Sequence, residues 1–320
     1  MNIKSRVLMI VVVGLIVVGQ LLAVGCSVGG SGNPTWIALK RQMISVPGGT
    51  YTQTDTETES HSFSHTISAF QMAKYEVTYE LWYTVHDWAR SNGYTFANPG
   101  REGNDGIITD PEGAAPTTIV KYEPVTTINW RDAIVWCNAY SEMAGFTPVY
   151  KNGSGQVIKD SSNGTECDSA VPDWSANGYR LPTEGEWQYA ASYQDGEIWT
   201  PYNYASGDSA PYDTSTTIGD YAWYSDNSSD KTQIVGTKLS NQLGIHDVSG
   251  NVFEWCWDWV GTWPTTEQTD YRGPGSDSVR VERGGSWSYT AGSLQVGSRS
   301  SYASPFTKSN HVGFRPVRTQ

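Results

Sequence analysis

The side chains best suited to catalysis in this 320-residue chain are four cysteines and five histidines, and neither set has a catalytic or metal-binding spacing. His61 and His65 are four residues apart, but their Ser/Thr-rich stretch favours a solvated strand or loop over a metal site. Beyond Cys26 the cysteines are odd in number and lack the pairing of a disulfide framework or a zinc site: Cys137, Cys167 and Cys256. The serines form neither a Gly-x-Ser-x-Gly elbow nor a phosphate-binding loop. The spacing therefore predicts neither metal-dependent nor nucleophilic catalysis.

The surroundings of the three later cysteines predict how exposed each thiol is. Cys137 lies in an amphipathic run and Cys256 among tryptophans, so both are expected to be buried and inert. Cys167 lies in a polar stretch, and we expect its thiol to be exposed.

The N-terminus has the pattern of an exported protein. Lys4 and Arg6 precede an apolar run, and residues 1–25 are predicted to be a signal peptide because the run is short for a membrane span. Cys26 follows a small residue and resembles the lipidated cysteine of bacterial lipoproteins; ordinary cleavage with Cys26 as a bystander is the alternative. The Gly/Ser-rich residues 26–36 would then form a flexible tether. We expect a lipid anchor at the cell envelope, with the protein exposed at the surface.

The remaining residues, 37–320, are predicted to form one α+β domain, loop-rich, with short strands and a few helices. Helices are expected over about 78–90, from Asn129 to a stop at Gly145, and from a capping box of Thr183 and Glu186. Residues 43–51 read as strand, turn, strand, and residues 70–77 as a further strand. The formal net charge of −12 disfavours binding to nucleic acid.

Aromatic residues are abundant, and residues 253–259 alternate tryptophans with other side chains. A carbohydrate-stacking platform is one interpretation. Packing in the core is the better one, because large rigid rings suit a loop-rich fold with little regular secondary structure.

Five segments, in this order, resemble the formylglycine-generating-enzyme (sulfatase-modifying factor) family: Pro47-Gly48-Gly49, Tyr75-Glu76-Val77-Thr78, Tyr179-Arg180-Leu181-Pro182-Thr183-Glu184, Gly250-Asn251-Val252-Phe253-Glu254-Trp255, and Arg283-Gly284-Gly285-Ser286-Trp287 with Gly313-Phe314-Arg315. The resemblance implies a C-type lectin-like fold. The charged motif residues Arg180, Glu184 and Arg283 are expected to form internal ion pairs rather than a site.

The same resemblance implies where the family's chemistry would lie. Its two catalytic cysteines would fall on Tyr289 and Leu294, which can act neither as thiolate nucleophiles nor as soft metal ligands, so we expect no enzyme activity. No cofactor is required, although a structural calcium ion is implied at Asp247, Gly250, Val252 and Glu254. The alternative is that Asp247 caps a turn and Glu254 pairs with a base.

The C-terminal segment, residues 288–309, is nearly free of charge and rich in small polar and aromatic residues, a composition typical of adaptable binding loops. An ordinary serine-rich surface loop is the alternative. The predicted ligand-contacting positions are Ser288, Tyr289, Thr290, Ser293, Leu294, Ser298, Ser300, Ser301, Tyr302, Phe306, Ser309 and His311. The positions expected to hold this face are Gly292, Val296, Gly297, Arg299 and Pro305.

The chain also resembles the variable proteins of diversity-generating retroelements, of the treponemal lipoprotein type, which implies a variable region over about 281–318. Adenine-directed mutagenesis of Asn-type codons cannot produce Trp, Lys, Glu, Met or Gln, and only Gln295 among residues 288–307 belongs to that set. We therefore expect a surface receptor or adhesin whose ligand is a protein or a glycan. The alternatives are an enzyme or maturation factor with non-standard chemistry, and a scaffold subunit of an envelope complex.

Overall fold

The computed structural model describes residues 42–56, 61–103, 111–118, 120–195 and 198–320, with only the backbone for Ser301 and Tyr302. The predicted signal peptide, Cys26 and the tether lie outside these residues. Within the described ranges, no helix combines the length and the apolar composition needed to cross a membrane.

Five α-helices occur in the described part of the chain: α1 Tyr79–Arg90, α2 Trp130–Ala144, α3 Gly164–Asp168, α4 Glu184–Ser192 and α5 Ile218–Tyr221. Three begin where the sequence predicts. The Asn129 side chain caps α2 and the Thr183 side chain caps α4, each in a complete capping box, and Gly145 ends α2 in the left-handed conformation. These boundaries are set locally, because each cap satisfies N–H or C=O groups within the neighbouring turn.

The strands are short, as expected. In chain order they are β1 Met43–Val46, β2 Gly49–Thr54, β3 Ser62–Ile67, β4 Phe70–Ala73, β5 Arg101–Glu102, β6 Val125–Thr126, β7 Tyr150–Lys151, β8 Val171–Pro172, β9 Tyr193–Asp195, β10 Ile198–Trp199, β11 Phe253–Trp259, β12 Gln268–Thr269, β13 Arg280–Arg283, β14 Arg299–Ala303, β15 Val312–Gly313 and β16 Val317–Thr319. The strand–turn–strand prediction for residues 43–51 is confirmed. The strand predicted over 70–77 ends at Ala73, because the chain then turns towards the cap of α1 at Thr78.

The sheet that carries the C-terminal segment has the strand order β14-β13-β11-β15. Strand β11 runs through its middle, antiparallel to β13 and parallel to β15. A second sheet, β1-β4-β16, joins the two ends of the domain, and a third is formed by β12, β3 and β2. The C-terminal segment thus lies between β13 and β15, two strands of one sheet, which hold the chain on both sides of it.

All seven residues of β11 are buried. The Arg280 guanidinium lies over the rings of Trp130 and Trp259, 3.6 and 3.3 Å from their centroids. Trp82 stacks on Trp136 with a centroid separation of 6.0 Å in the neighbouring core. Core packing is therefore the correct interpretation of the aromatic run.

Candidate ligand-binding face

Two glycines form the turn that leads from β13 into the C-terminal segment. Gly284 and Gly285 have φ values of +98° and +76°, which residues with a Cβ atom rarely adopt. A Cβ on Gly284 would lie 2.7 Å from the carbonyl oxygen of Val248, and one on Gly285 would lie 2.8 Å from that of Ser293. The turn therefore requires glycine for both its backbone angles and its close packing.

Buried charges hold the segment from below. Arg283 donates hydrogen bonds to the carbonyl oxygens of Val296, Gly297 and Ser298 at 2.6–3.0 Å. Arg299 pairs with Glu184 through Nε and Nη2, at 2.7 and 2.9 Å. One carboxylate at the start of α4 thus fixes the beginning of β14.

The expectation that the motif arginines and glutamates form internal ion pairs is confirmed. Arg180 and Glu186 form a buried bidentate pair with both N–O distances at 2.6 Å. Arg283 lies 3.8 Å from Glu184, beside the Arg299 pair. These groups are committed to the scaffold and are not available to a ligand.

The structure separates the predicted face positions by exposure. Ser288, Tyr289, Thr290 and Phe306 are exposed, with Tyr289 at 43% and Phe306 at 63%. Five further positions are half-buried: Ser293, Ser298, Ser300, Ser309 and His311. The side chains of Ser301 and Tyr302 lie outside the described set. Of the positions expected to hold the face, Val296, Gly297 and Pro305 are buried, and Gly292 and Arg299 are half-buried.

Leu294 is the exception, and its predicted exposure is wrong. A 3₁₀ turn over Ala291–Leu294 directs the leucine inward, where it is fully buried in a small apolar cluster with Ala205, Ile218 and Ala222. Residue type alone could not reveal this, because the partners lie far away in the sequence.

An aromatic contact joins the start of the C-terminal segment to His311, just beyond its end. The Tyr289 ring packs edge-on against Phe253, 4.9 Å between centroids, and lies 5.3 Å from His311. The Ser309 hydroxyl lies 2.8 Å from His311 Nδ1. Burial lowers the pKa of His311, which favours the neutral ring at physiological pH. Residues 289 and 311 therefore lie on one surface. The predicted positions that are exposed or half-buried are together called here the candidate face.

Residues distant in the sequence border this face, and the sequence analysis missed them. The Arg131 guanidinium lies 5.6 Å from the Phe306 ring and pairs with Asp168. Lys308 forms an ion pair with Glu112 at 2.7 Å. No local sequence signal could have found these neighbours, because the tertiary fold alone brings them to residues 306 and 308.

The described thiols are all buried: Cys137, Cys167 and Cys256. The expected exposure of Cys167 is wrong, because its place in the last turn of α3 packs it onto the core, with Sγ 3.4 Å from the Asp160 carbonyl oxygen. Burial raises the pKa of Cys167 to about 12, and it also raises the pKa of Cys137 and of Cys256. Each thiol is therefore protonated at neutral pH, a poor state for nucleophilic or metal-binding chemistry.

The positions implied as calcium ligands are engaged in other contacts. Glu254 pairs with Arg315 at 2.6 Å and accepts a hydrogen bond from Trp187 at 2.8 Å, while Asp247 accepts one from the Gly236 N–H at 2.6 Å. Gly250 and Val252 offer backbone atoms only, and the Val252 N–H donates to Glu76. No group of three His, Cys, Asp or Glu side chains in the described ranges has a metal-binding arrangement. Asp247 Oδ1 is buried without a hydrogen-bond partner among the described residues, so a calcium ion at these positions stays a prediction, while the pairing of Glu254 with Arg315 agrees with the alternative.

Comparison with known proteins places this geometry in a family. The family model for the sulfatase-modifying factor enzyme 1-like domain matches residues 35–320. Chaperone protein LppX of Paenibacillus barcinonensis is 31% identical over 273 residues, which cover 80% of this chain and 82% of that protein. The formylglycine-generating enzyme of Thermomonospora curvata is 33% identical over 167 residues, half of that enzyme's length.

A solved structure extends the likeness to three dimensions. Treponema denticola variable protein 1 superposes with a TM-score of 0.69 at 31% sequence identity, covering 87% of this chain and 95% of that one. The expected fold is confirmed, as is the resemblance to variable proteins. The chain belongs to the family of sulfatase-modifying factor enzyme 1-like domains.

Proposed function

We propose that this protein is a ligand-binding lipoprotein displayed at the bacterial surface, and that the candidate face is its binding surface. The ligand is a protein or a glycan, and residues 281–318 form a region diversified by a retroelement. The anchor is a lipid on Cys26.

One observation carries this proposal. Within residues 283–315, the motif positions are buried and hydrogen-bonded, whereas most of the intervening positions are exposed or half-buried. A rigid frame tolerates sequence change at surface positions that have no packing role. Gln295, which adenine mutagenesis cannot create, is buried and donates a hydrogen bond to the Gly292 carbonyl oxygen. It behaves as a fixed position inside a changeable segment.

Aromatic anchors give the face its binding capacity. Phe253 and His311 hold Tyr289 on one side, and almost half of its surface is open. Because the ring is already ordered, binding a ligand would cost little side-chain entropy. Phe306 is more exposed still and has the Arg131 cation beside its ring. Each ring offers apolar contact area, and the exposed Ser288 and Thr290 flank Tyr289 in the sequence.

The similarity to a variable protein and to LppX supports a binding role without catalysis. Thiol oxidation of the formylglycine-generating type has little support here, because the described thiols are buried and protonated and Tyr289 and Leu294 occupy the implied positions. An enzyme with non-standard chemistry remains the competing proposal, based on the partial match to the Thermomonospora curvata enzyme.

The test of diversification is codon-resolved sequencing of residues 281–318 across a cultured population, with the codons of helix α1 as the internal control. We expect substitutions at the exposed and half-buried face positions, none at Gly284, Gly285, Trp287 or Phe314, and only apolar residues at 294. A segment as invariant as α1 would refute diversification, and fixed protein and glycan ligands would then be screened.

The enzyme alternative has its own test. The purified protein is incubated with copper, oxygen and a cysteine-containing peptide, and aldehyde formation is measured with a hydrazine reagent. We expect no product, while the Thermomonospora curvata enzyme serves as the positive control. Aldehyde above the no-protein background would overturn the non-catalytic assignment.

The lipid anchor is tested by growing cells with a labelled fatty acid. We expect the label to be incorporated into the protein, and to be absent from the Cys26→Ala variant.

A further inference from the structure

One side of the sheet β14-β13-β11-β15 forms the floor of the candidate face. The Phe253 ring, on β11, contacts Tyr289 and His311, with centroid distances of 4.9 and 6.1 Å. Trp255 lies two residues further along the same strand, so its side chain is on the same side of the sheet. Glu282 lies opposite Trp255 on β13, and directly paired residues have their side chains on one side. Glu282 is therefore part of the floor of the candidate face.

Glu282 is also in direct contact with a face position. It lies opposite Ser300 on β14, the strand at one end of that sheet. The Ser300 hydroxyl donates a hydrogen bond to Glu282 Oε2 at 3.1 Å, which is longer than the distance of about 2.5–2.7 Å typical of a hydroxyl on a carboxylate. Glu282 Oε1 has no donor within the described residues and is not fully buried. One weak bond from the candidate face thus holds the carboxyl group.

The surroundings of Glu282 lack the cation that other buried glutamates have. Glu184, Glu186 and Glu254 each pair with an arginine at 2.6–2.7 Å. Glu282 is only 4% exposed, and in the described part of the chain no charged group acts on its carboxyl group. A buried carboxylate without a counter-charge is unfavourable, so a cation supplied from outside the chain would stabilise it.

The protonation of Glu282 agrees with this arrangement. Burial raises the pKa of Glu282 from 4.5 to about 7, and the hydrogen bond from Ser300 lowers it. A cation beside the carboxylate would lower the pKa further, so binding of a cation and loss of the proton are linked. His311 is neutral above about pH 6.5, because burial lowers its pKa. Glu282 is therefore the face carboxyl group whose charge changes near neutral pH.

The position of the carboxyl group restricts the shape of a ligand group that reaches it. Glu282 lies one strand in from the end of the sheet, and the short Ser300 side chain is its neighbour on the outer strand. Lysine and arginine have long aliphatic stems that pack on apolar surface while the charged end reaches a partner. Either side chain can therefore bring a cation across β14 to Glu282.

Charge at longer range also favours a basic partner. The two cations that border the candidate face are each paired with an acid, Arg131 with Asp168 and Lys308 with Glu112. The whole chain has a formal net charge of −12. A protein with this net charge attracts positively charged partners and repels acidic ones.

We propose that Glu282 sets the ligand class of the candidate face: its carboxylate binds the charged end of a lysine or arginine side chain on a protein ligand. The inference rests on the proposed function of that face, and it selects a protein over a glycan. Glutamate belongs to the residues that adenine mutagenesis of Asn-type codons cannot produce. Glu282 thus stays constant while position 300 beside it is free to change.

The test is saturation-transfer-difference NMR and titration calorimetry on the purified protein. The probes are capped tripeptides with a central lysine, arginine, leucine or glutamate between alanines, and a methyl galactoside as a neutral sugar. Each is used at about 10 mM, which detects millimolar affinity. We expect the lysine and arginine peptides to bind, and the leucine peptide, the glutamate peptide and the sugar not to bind.

Two variants link the signal to the carboxyl group. Glu282→Gln keeps the shape of the side chain without its charge, and it should weaken binding at least about tenfold, the effect of one hydrogen bond to a charged group. Ser300→Arg supplies a cation from the chain itself and should block the peptides. Glu267→Gln, the same exchange at an exposed glutamate, should bind like the parent protein.

The pH dependence provides a readout that a purely structural role would not change. Binding by the parent protein should strengthen between about pH 6.5 and pH 8.5, because the Glu282 carboxylate forms in this range. The Glu282→Gln variant should show no such increase. An equal increase in both proteins would assign the effect to another group and overturn the proposal.

The remaining outcomes separate this inference from the proposed function. Binding of the sugar without the cationic peptides overturns the inference and identifies the ligand as a glycan. Peptide binding that is lost in Tyr289→Ala but intact in Glu282→Gln also overturns it, while the candidate face keeps its binding role. Absence of binding by both cationic peptides refutes the inference, and codon-resolved sequencing still tests diversification.

Discussion

The most direct test of which positions in the C-terminal segment are buried and which are exposed is Leu294→Ala. Leu294 is fully buried, although its neighbours in the sequence have the composition of a surface loop. The exchange should destabilise the protein strongly, whereas the same exchange at Leu239, which is 57% exposed, should not. The pair compares identical chemistry at a buried and at an open position.

The expected magnitude follows from the burial of the leucine. Truncation removes three carbon atoms from an apolar site, worth about 0.8 kcal/mol each, or about 2.4 kcal/mol in total. The cavity left behind adds to this, and buried Leu to Ala exchanges commonly cost about 2–5 kcal/mol. Two of the three buried neighbours are alanines, which are too short to fill the space. We therefore expect a loss of about 3 kcal/mol, and about 0.5 kcal/mol or less for Leu239→Ala.

The assay is urea-induced unfolding followed by tryptophan fluorescence and by circular dichroism, with coincident curves as the check for a single transition. A loss below about 1 kcal/mol in Leu294→Ala would contradict the assigned burial. Equal losses of stability in both variants would show that packing against Ala205, Ile218 and Ala222 does not stabilise Leu294 more than an exposed leucine. In either case position 294 would return to the set of changeable face positions.

Three further predictions concern the frame, each measured as a shift in the unfolding midpoint. Gly285→Ala should be strongly destabilising, because φ is +76° and the added carbon would meet a carbonyl oxygen at 2.8 Å; a near-normal midpoint would contradict this. Arg315→Met should cost about 3–5 kcal/mol, because it leaves Glu254 buried without its cation, whereas Lys308→Met at a partly exposed ion pair should cost about 1 kcal/mol or less. Burial raises the pKa of Glu282 from 4.5 to about 7, so the folded state binds the proton more tightly and stability falls as pH rises through that window. Glu282→Gln should therefore gain in Tm relative to the parent between about pH 5 and pH 8, and a constant difference would refute it.

Elements with local signals were predictable. The starts of α2 and α4 follow from the side chains of Asn129 and Thr183, whose partners lie three residues away. The buried pairing of Arg180 with Glu186 could also be anticipated, since a charge in a motif without catalytic neighbours needs an internal partner. Residue identity alone also showed that Tyr289 and Leu294 cannot perform thiol chemistry.

Burial depended on contacts that no local pattern encodes. Cys167 lies in a polar stretch yet is buried, because α3 packs it towards the core. Gln188 and Trp199 line one cavity only because α4 and β10 pack beside β2. A side chain's type says what contacts it can make, but not which distant chain segment will cover it.

The sequence by itself predicted the export signal. It also determined the family motifs, the helix caps and the absence of a cysteine at the implied catalytic positions. These depend on residue identity and on spacings of a few residues. Only the tertiary structure decided that Leu294 faces inward, that Tyr289 and His311 share one surface, and that Glu254 pairs with Arg315. The physical reason is that burial and charge pairing are long-range: the partners here are separated by about 20 to 90 residues along the chain and are brought together only by folding.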